Sequence, residues 1–200
     1  MDSSKPFAQA CEENKRPIYE VLREVLVERR DVLEIGSGTG QHAVFFGRML
    51  SHVVWQTSDL PEHLPGIRAW LEEAGLPNVR APLPLDVNRA PWPVERAEAA
   101  FSANTLHIMS WSSVERMFEG LGKVLEPGGV LCLYGPFNYG GRYTSESNAR
   151  FDAWLKMRDP ESGIRDVEAL EVLARHADMK IERDYEMPAN NRTLVWRRSA

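Results

Sequence analysis

Residues 32–40 read Val-Leu-Glu-Ile-Gly-Ser-Gly-Thr-Gly, and this stretch decides the fold. Asp31 to Ile35 has the pattern of a short buried strand, and three alternating glycines follow it. Apolar residues between Ala43 and Leu50 then recur at helical spacing. Glycine tolerates positive φ and lets a ligand lie against bare backbone. The stretch therefore predicts a strand, a ligand-binding turn and a helix, the opening unit of a nucleotide-binding α/β sheet.

The same alternation of strand and helix patterns continues along the chain. Strand patterns follow at 53–57, 80–85, 97–103 and 130–134, and helix patterns at 17–27, 65–74 and 112–125. Pro82 and Pro84 cannot donate to a ladder, so the strand that contains them should be short or at an edge. Such alternation implies right-handed crossovers and a mostly parallel sheet with helices on both faces.

Local signals mark the ends of several elements. Asn14 is a candidate cap for the first helix, with Pro17 in the first turn, and Ser112 with Glu115 has the spacing of a capping box. Two final strand patterns, 180–186 and 192–197, are separated by only five residues, which favours an antiparallel hairpin. We therefore predict a Rossmann-like, doubly wound, mostly parallel seven-stranded α/β sheet with a C-terminal antiparallel hairpin. A single domain over 1–200 is expected, with an N-terminal helical cap at 1–30.

Composition narrows the classes of partner. Lys and Arg number 24 against 29 Asp and Glu, for a formal net charge of -5, and the basic residues are dispersed. This argues against a nucleic-acid partner. No apolar stretch has the length of a membrane span or the form of a signal peptide, and Cys11 and Cys132 are the only cysteines. We expect no membrane partner, a cytoplasmic location and, because no Cys/His/Asp spacing suits one, no metal site.

Carboxylates follow the predicted strands at the edge where a ligand would bind. Asp59 ends the second strand, and Asp86, followed by Val87, ends the third. Asp86 could also be a turn or cap aspartate beside Asn88, although its place at the end of a strand favours cofactor binding. A dinucleotide site would have a third glycine at position 41, which is Gln41, so the spacing disfavours a bound pyrophosphate.

Glu34 to Gly40 resembles the first motif of class I S-adenosylmethionine-dependent methyltransferases. The resemblance implies S-adenosyl-L-methionine as the cofactor and S-adenosyl-L-homocysteine as the product. It assigns Glu34 to ordering the loop or contacting the methionyl amine, Asp59 to the ribose hydroxyls and Asp86 to adenine. Lys15 or Arg16 could neutralise the methionyl carboxylate, although a solvated charge explains either equally well. The residues expected to bind the cofactor are Glu34, Gly36, Ser37, Gly38, Gly40, Asp59, Asp86, Val87, Asn104 and Arg16.

Further stretches extend the resemblance over nearly the whole chain. The stretches 14–18, 102–107, 134–137 and 187–191 together resemble one methyltransferase family, catalogued as domain of unknown function nine-three-eight and called methyltransferase-like twenty-six in animals. The expected function is transfer of a methyl group to a small molecule, at a hydroxyl or thiol. The alternatives are an NAD(P)-dependent oxidoreductase, a non-catalytic cofactor-binding module and a methyltransferase with a protein or RNA acceptor.

His107 is the candidate catalytic base. The segment 104–107, followed by Trp111, resembles the one that carries a proton-accepting histidine in small-molecule O-methyltransferases. A histidine that orients its loop through hydrogen bonds is an equally good interpretation. Residues 137–144 leave the fifth strand with glycines and aromatics, which favours a substrate loop over an ordinary connection. The expected substrate residues are Phe137, Asn138, Tyr139, Tyr143 and Asn190, although Asn190 and Asn191 could simply form the hairpin turn.

Overall fold

A seven-stranded sheet organises the protein, whose computed structural model describes residues 5–200. The strands of the sheet are β1 (Asp31–Ile35), β2 (Val54–Asp59), β3 (Val79–Pro84), β4 (Ala97–Ala103), β5 (Leu125–Gly135), β8 (Met179–Met187) and β9 (Asn191–Arg198). Their spatial order is β3-β2-β1-β4-β5-β9-β8. The first five pair in parallel, and β9 lies antiparallel between β5 and β8. The predicted sheet and its terminal hairpin are confirmed, and two short strands, β6 (Phe137–Asn138) and β7 (Arg165–Asp166), pair separately.

Helices cover both faces of the sheet. They are α1 (Gln9–Val25), α2 (Gln41–Met49), α3 (Leu64–Ala74), α4 (Trp111–Val124), α5 (Glu146–Arg158) and α6 (Val167–His176). Successive residues of a strand point to opposite faces, and β1 divides accordingly. Val32 packs into the core cluster that also contains Ile18 of α1 and Phe46 of α2, whereas Leu33 packs into the cluster of α4 and α6. The doubly wound arrangement is therefore confirmed.

The predicted edge position of one strand is also confirmed. β3, which carries the two prolines, is an edge strand of the sheet. Gly75 ends α3 in the left-handed conformation at φ +58°, where glycine has no steric cost. Within residues 5–200, none of the helices combines the length and the apolar character that crossing a bilayer requires.

Two predicted helix starts are wrong. α1 begins at Gln9, so Asn14 is a buried residue inside the helix and Pro17 lies in its interior. The helix continues through Pro17 because the missing N–H forfeits only one backbone bond, while a continuous face that includes Ile18 and Leu22 is buried on the sheet. The cap of α4 is Ser110, which accepts from the Ser113 backbone N–H at 3.2 Å, two residues before the predicted position.

Candidate functional site

Two adjacent cavities open at the carboxyl ends of the parallel strands. The glycine-loop cavity has a volume of about 560 Å³, and its lining includes Gly36, Gly38, Asp59, Asp86, Asn104 and Ile108. The amide cavity has a volume of about 650 Å³, and its lining includes Asn14, Asn104, His107, Tyr134, Asn148 and Asn191. Asn104 and Ile108 belong to both linings, so the two cavities meet at the loop that follows β4. Both volumes are within the range of small-molecule sites.

The glycine loop forms one wall of the first cavity. Gly36 and Gly38 have φ angles of +75° and +58°, which L side chains rarely adopt. A Cβ on Gly36 would lie 2.8 Å from Thr105 Oγ1, so this glycine is required by packing against the loop after β4. At Gly38 no heavy atom lies within 4 Å of the Cβ position. The loop therefore offers bare backbone to a ligand at Gly38.

Glu34 and Ser37 lie behind this loop and line neither cavity. The buried Glu34 carboxylate accepts from Ser37 Oγ at 2.7 Å and from Trp55 Nε1 at 3.0 Å. Burial raises the pKa of Glu34 to about 7, and the two hydrogen bonds oppose that rise. Of the two roles that the resemblance implied for Glu34, the geometry favours ordering of the loop.

Asp59 joins the end of β2 to the glycine loop. Its Oδ2 accepts from the Gly38 backbone N–H at 2.7 Å, and its Oδ1 accepts from the Leu60 N–H at 2.7 Å and lies 2.7 Å from His63 Nδ1. The residue is only 7% exposed, yet it lines the glycine-loop cavity. Because Oδ2 has a single partner among the described residues, it retains a lone pair for a hydroxyl donor.

Asp86 and Val87 also line the glycine-loop cavity. Asp86 Oδ1 accepts from the Asn88 backbone N–H at 3.0 Å, and Arg89 Nε lies 3.3 Å from Oδ2. Asp86 thus forms the turn that the sequence suggested and still reaches the cavity, so the two interpretations are compatible.

Gln41 ties the start of α2 to the start of α1. Its Oε1 accepts from the Ala8 N–H at 2.6 Å, and its Nε2 donates to Glu12 at 2.8 Å. The side chain is 3% exposed, so α1 covers the N-terminus of α2. The dinucleotide fingerprint has a glycine at this position, whereas the side chain here makes contacts that fix the two helices together.

Asn104 and His107 come from the loop after β4. Asn104 has φ +55°, a left-handed backbone conformation that residues other than glycine seldom adopt. Such conformations often occur at functional sites. His107 is 7% exposed and lines the amide cavity, with Phe151 edge-on at 5.3 Å between ring centroids. Burial, and to a smaller extent the charge of Arg165, lowers the pKa of His107 to about 4. The imidazole is therefore neutral at pH 7, and neither ring nitrogen bonds to any residue in 5–200.

His42 and Asn14 form a buried pair beneath α1. His42 Nε2 lies 2.7 Å from Asn14 Oδ1, and burial lowers the pKa of His42 to about 4. A neutral ring that carries its proton on Nε2 donates to the Asn14 carbonyl. His42 lines neither cavity, whereas Asn14 lines the amide cavity.

Of the remaining predicted site residues, one lines a cavity and the others do not. Asn190 lines the amide cavity, whereas Phe137, Asn138, Tyr139 and Tyr143 line neither cavity. The Tyr139 and Tyr143 hydroxyls donate instead to Asp184 and Asp152, each at 2.7 Å. Arg16 is exposed on α1 and lines neither cavity. Gly40 packs on α3, where a Cβ would lie 3.2 Å from Ile67 Cα.

Sequence reasoning missed several residues of the amide cavity. They are Asn14 and Pro17 of α1, Tyr134 at the end of β5, and Asn148, Phe151 and Trp154 of α5. Asn14, Tyr134 and Pro17 stand in stretches that carried the family resemblance, which was the one available signal. Among residues 5–200 no group of three or more His, Cys, Asp or Glu side chains could hold a metal ion.

A family profile matches almost the whole chain. The family is described as "Protein of unknown function (DUF938)", and the match covers residues 5–198.

Solved structures share the fold at low sequence identity. An O-methyltransferase family protein from Burkholderia thailandensis has a TM-score of 0.81 at 17% identity, over 93% of this chain and 56% of that one. The S-adenosylmethionine-dependent methyltransferase SibL has a TM-score of 0.80 at 20% identity, over 95% and 56%. Human N-acetylserotonin methyltransferase, solved with S-adenosylmethionine, has a TM-score of 0.73 at 17% identity, over 93% and 55%. The chain thus has a class I methyltransferase fold and spans little more than half the length of these proteins.

Proposed function

The chain belongs to the DUF938 family, and from that premise we propose that it is an S-adenosylmethionine-dependent methyltransferase that methylates a small-molecule acceptor. The fold supports this proposal, since the solved structures that share it carry names of methyltransferases. The two cavities support it further, because methyl transfer requires a donor site and an acceptor site that meet.

One observation carries the proposal. Asp59 ends β2 in the glycine-loop cavity and accepts from the Gly38 N–H at 2.7 Å, so a carboxylate and an open glycine turn face the same space. A carboxylate oxygen with a free lone pair suits a ribose hydroxyl. Asp86 and Val87 line the same cavity, where an adenine would lie.

The residues present fit this cofactor. Asp59 would hold the ribose, Asp86 and Val87 the adenine, and the backbone at Gly36 and Gly38 the remainder beside Asn104. When bound, S-adenosylmethionine supplies an electrophilic methyl group on a sulfonium. Glu34 and Ser37 act from behind the loop by holding its shape.

His107 would act on the acceptor. A hydroxyl that attacks a methyl carbon must lose its proton, and a neutral imidazole can accept it at Nδ1 or Nε2. The lowered pKa keeps His107 in that neutral form throughout the physiological range. Phe151 lies edge-on to His107, so the imidazole faces an apolar side chain of the amide cavity.

Three alternatives are less well supported. An NAD(P)-dependent oxidoreductase would have a third glycine at position 41, where this chain has a buried glutamine that bonds to the start of α1. A non-catalytic binding module would not need a second cavity with a neutral histidine beside the first. The dispersed charge and the net charge of -5 disfavour an RNA acceptor.

Calorimetric titration separates these alternatives. We expect S-adenosylhomocysteine to bind with a micromolar Kd and NADH not to bind at millimolar concentration. The reverse preference would overturn the proposal. Incubation with isotopically labelled S-adenosylmethionine and a metabolite extract should then yield a labelled product by mass spectrometry, and binding without transfer to any component would favour the non-catalytic module.

A further inference from the structure

Resting on the proposed methyltransferase function, we propose that the amide cavity selects an uncharged acceptor with a flat apolar body, and that the Tyr134 hydroxyl orients it by donating a hydrogen bond. The acceptor class that fits is an aromatic hydroxyl compound. Three features of the cavity carry this proposal: its charge, its apolar wall and the direction of its hydrogen bonds.

The lining of the amide cavity has almost no formal charge. Glu13, exposed on α1, is the one acidic residue among the described residues that line it, and no Lys or Arg lines it. The Arg165 guanidinium, which acts on His107 from outside the cavity, already donates to the carbonyl oxygens of Leu106 and Glu161 at 3.1 and 2.9 Å. A carboxylate or phosphate would therefore lose its hydration without gaining a countercharge.

One wall of the cavity is aromatic. Phe151 and Trp154 of α5 stack with ring centroids 5.8 Å apart and planes 18° apart, and both line the cavity. Pro17 and Ile108 add apolar surface from other elements. A flat ring can lie against such surfaces with the geometry that aromatic pairs prefer.

The hydrogen-bonding capacity of Tyr134 is fixed by its neighbours. Burial raises the pKa of its phenol, and hydrogen bonds from Asn14 and Asn191 lower it by less, so the hydroxyl keeps its proton. Asn14 presents its NH2 group to Tyr134 because its Oδ1 already accepts from His42 at 2.7 Å. Tyr134 lines the cavity with the Asn14 amide beside its oxygen, so its O–H is available as a donor to a ligand there.

Asn148 provides the complementary acceptor. Its Nδ2 donates to Thr144 Oγ1 at 2.9 Å and to the Asn190 carbonyl at 3.1 Å, which uses both amide protons. Oδ1 is left to accept a hydrogen bond in the cavity that Asn148 lines. The neutral His107 adds one N–H donor and one acceptor nitrogen, so the cavity offers both kinds of partner to a hydroxyl group, which itself donates and accepts.

Three probes test the proposal: 2-naphthol, 2-naphthoate and naphthalene, which share one ring system. Each is titrated by fluorescence into the protein, free and saturated with S-adenosylhomocysteine. We expect 2-naphthol to bind at least tenfold more tightly than 2-naphthoate. Tyr134→Phe should weaken 2-naphthol about fivefold, because a neutral hydrogen bond contributes about 1 kcal/mol. The same variant should bind naphthalene and S-adenosylhomocysteine as the wild type does.

Tyr139→Phe is the matched control, because it removes a hydroxyl that bonds Asp184 outside the cavity. It should leave all probe affinities unchanged. Equal or tighter binding of 2-naphthoate, no binding of 2-naphthol at millimolar concentration, or an unchanged 2-naphthol affinity in Tyr134→Phe would each overturn the proposal. Failure of S-adenosylhomocysteine to bind the wild type would instead overturn the methyltransferase function, and it is measured separately.

Discussion

The two cavities are neighbours, yet they are built in opposite ways. The glycine-loop cavity is formed at the ends of β1 to β4 and in the segments directly after them, by glycine backbone, two carboxylates and apolar side chains. The amide cavity is formed by side chains from α1, the loop after β4, the end of β5, α5 and the hairpin turn. Among the described residues, the two linings share only Asn104 and Ile108.

This difference assigns the two halves of the proposed reaction to different parts of the structure. A site made from strand ends and bare backbone is fixed by the sheet itself and suits a ligand that many proteins of one fold bind. A site made from side chains on separate elements can change without disturbing the sheet. The proposed donor site is therefore set by the fold, and the proposed acceptor site is set by this sequence.

The largest expected effect belongs to the amide cavity. His107→Ala should lower kcat about 10²- to 10⁴-fold, the usual contribution of a general base. The Kd for S-adenosylhomocysteine should not change, because His107 lines only the amide cavity. Turnover is measured with the acceptor identified by isotopic labelling, and binding is measured by calorimetry.

His52→Ala is the control for this variant, since His52 bonds the Leu26 carbonyl and lines neither cavity. It should retain wild-type kcat. Full activity of His107→Ala would remove His107 as the base. A loss of cofactor affinity in His107→Ala would show that the two cavities do not act separately.

A substitution in the glycine-loop cavity should have the converse effect, a loss of cofactor binding while the acceptor cavity still binds its probe. Asp59→Ala should weaken S-adenosylhomocysteine about 100-fold, because it removes a charged hydrogen-bond acceptor and the anchor of the Gly38 N–H. Binding of 2-naphthol to the free protein should be unaffected. Arg16→Ala, which changes an exposed side chain outside both cavities, should leave both affinities unchanged.

An unchanged affinity in Asp59→Ala would refute the placement of the ribose. An equal loss of both ligands would indicate that Asp59 supports the fold of both cavities, and a far-UV circular dichroism spectrum of the variant would reveal it. A selective loss in Arg16→Ala would restore Arg16 as a cofactor residue.

The contrast between the cavities also explains what could be predicted from the sequence. The glycine turn and Asp59 are local features, since each directly follows a strand that its apolar pattern reveals. Asn14, Tyr134 and Asn148 meet only after the chain folds, and the cavity that brings them together has no local signal. Asn14 and Tyr134 are 120 residues apart in the chain, and Asn148 donates to the Asn190 carbonyl, 42 residues further along.

α5 and the loop before it show the same limit. Phe151 and Trp154 of α5 face a cavity and solvent, so the helix lacks the regular apolar stripe that predicts an amphipathic helix. The aromatic loop 137–144 has the composition of a substrate loop, yet Tyr139 and Tyr143 bond to aspartates 45 and 9 residues away. Composition describes what a segment can bind and does not reveal which partner the fold supplies.

The smallest expected effect concerns the support behind the amide cavity. His42 has a pKa of about 4 in the folded protein and about 6.5 when unfolded. Burial is the chief cause of the lowered pKa; the charge of Glu12 raises it and the charge of Lys15 lowers it, both by less. Between these values the unfolded chain binds more protons, so the free energy of unfolding falls as the pH decreases from 7 to 5.

His42→Gln keeps an amide donor for Asn14 and lacks this titration. In urea unfolding, the wild type should therefore lose about 2 kcal/mol more than His42→Gln over that interval. His107 and Glu34 also titrate, but they are present in both proteins and cancel in the difference. Parallel losses in the two proteins would mean that His42 is solvated and that Asn14, and with it Tyr134, lacks the fixed orientation on which the acceptor site depends.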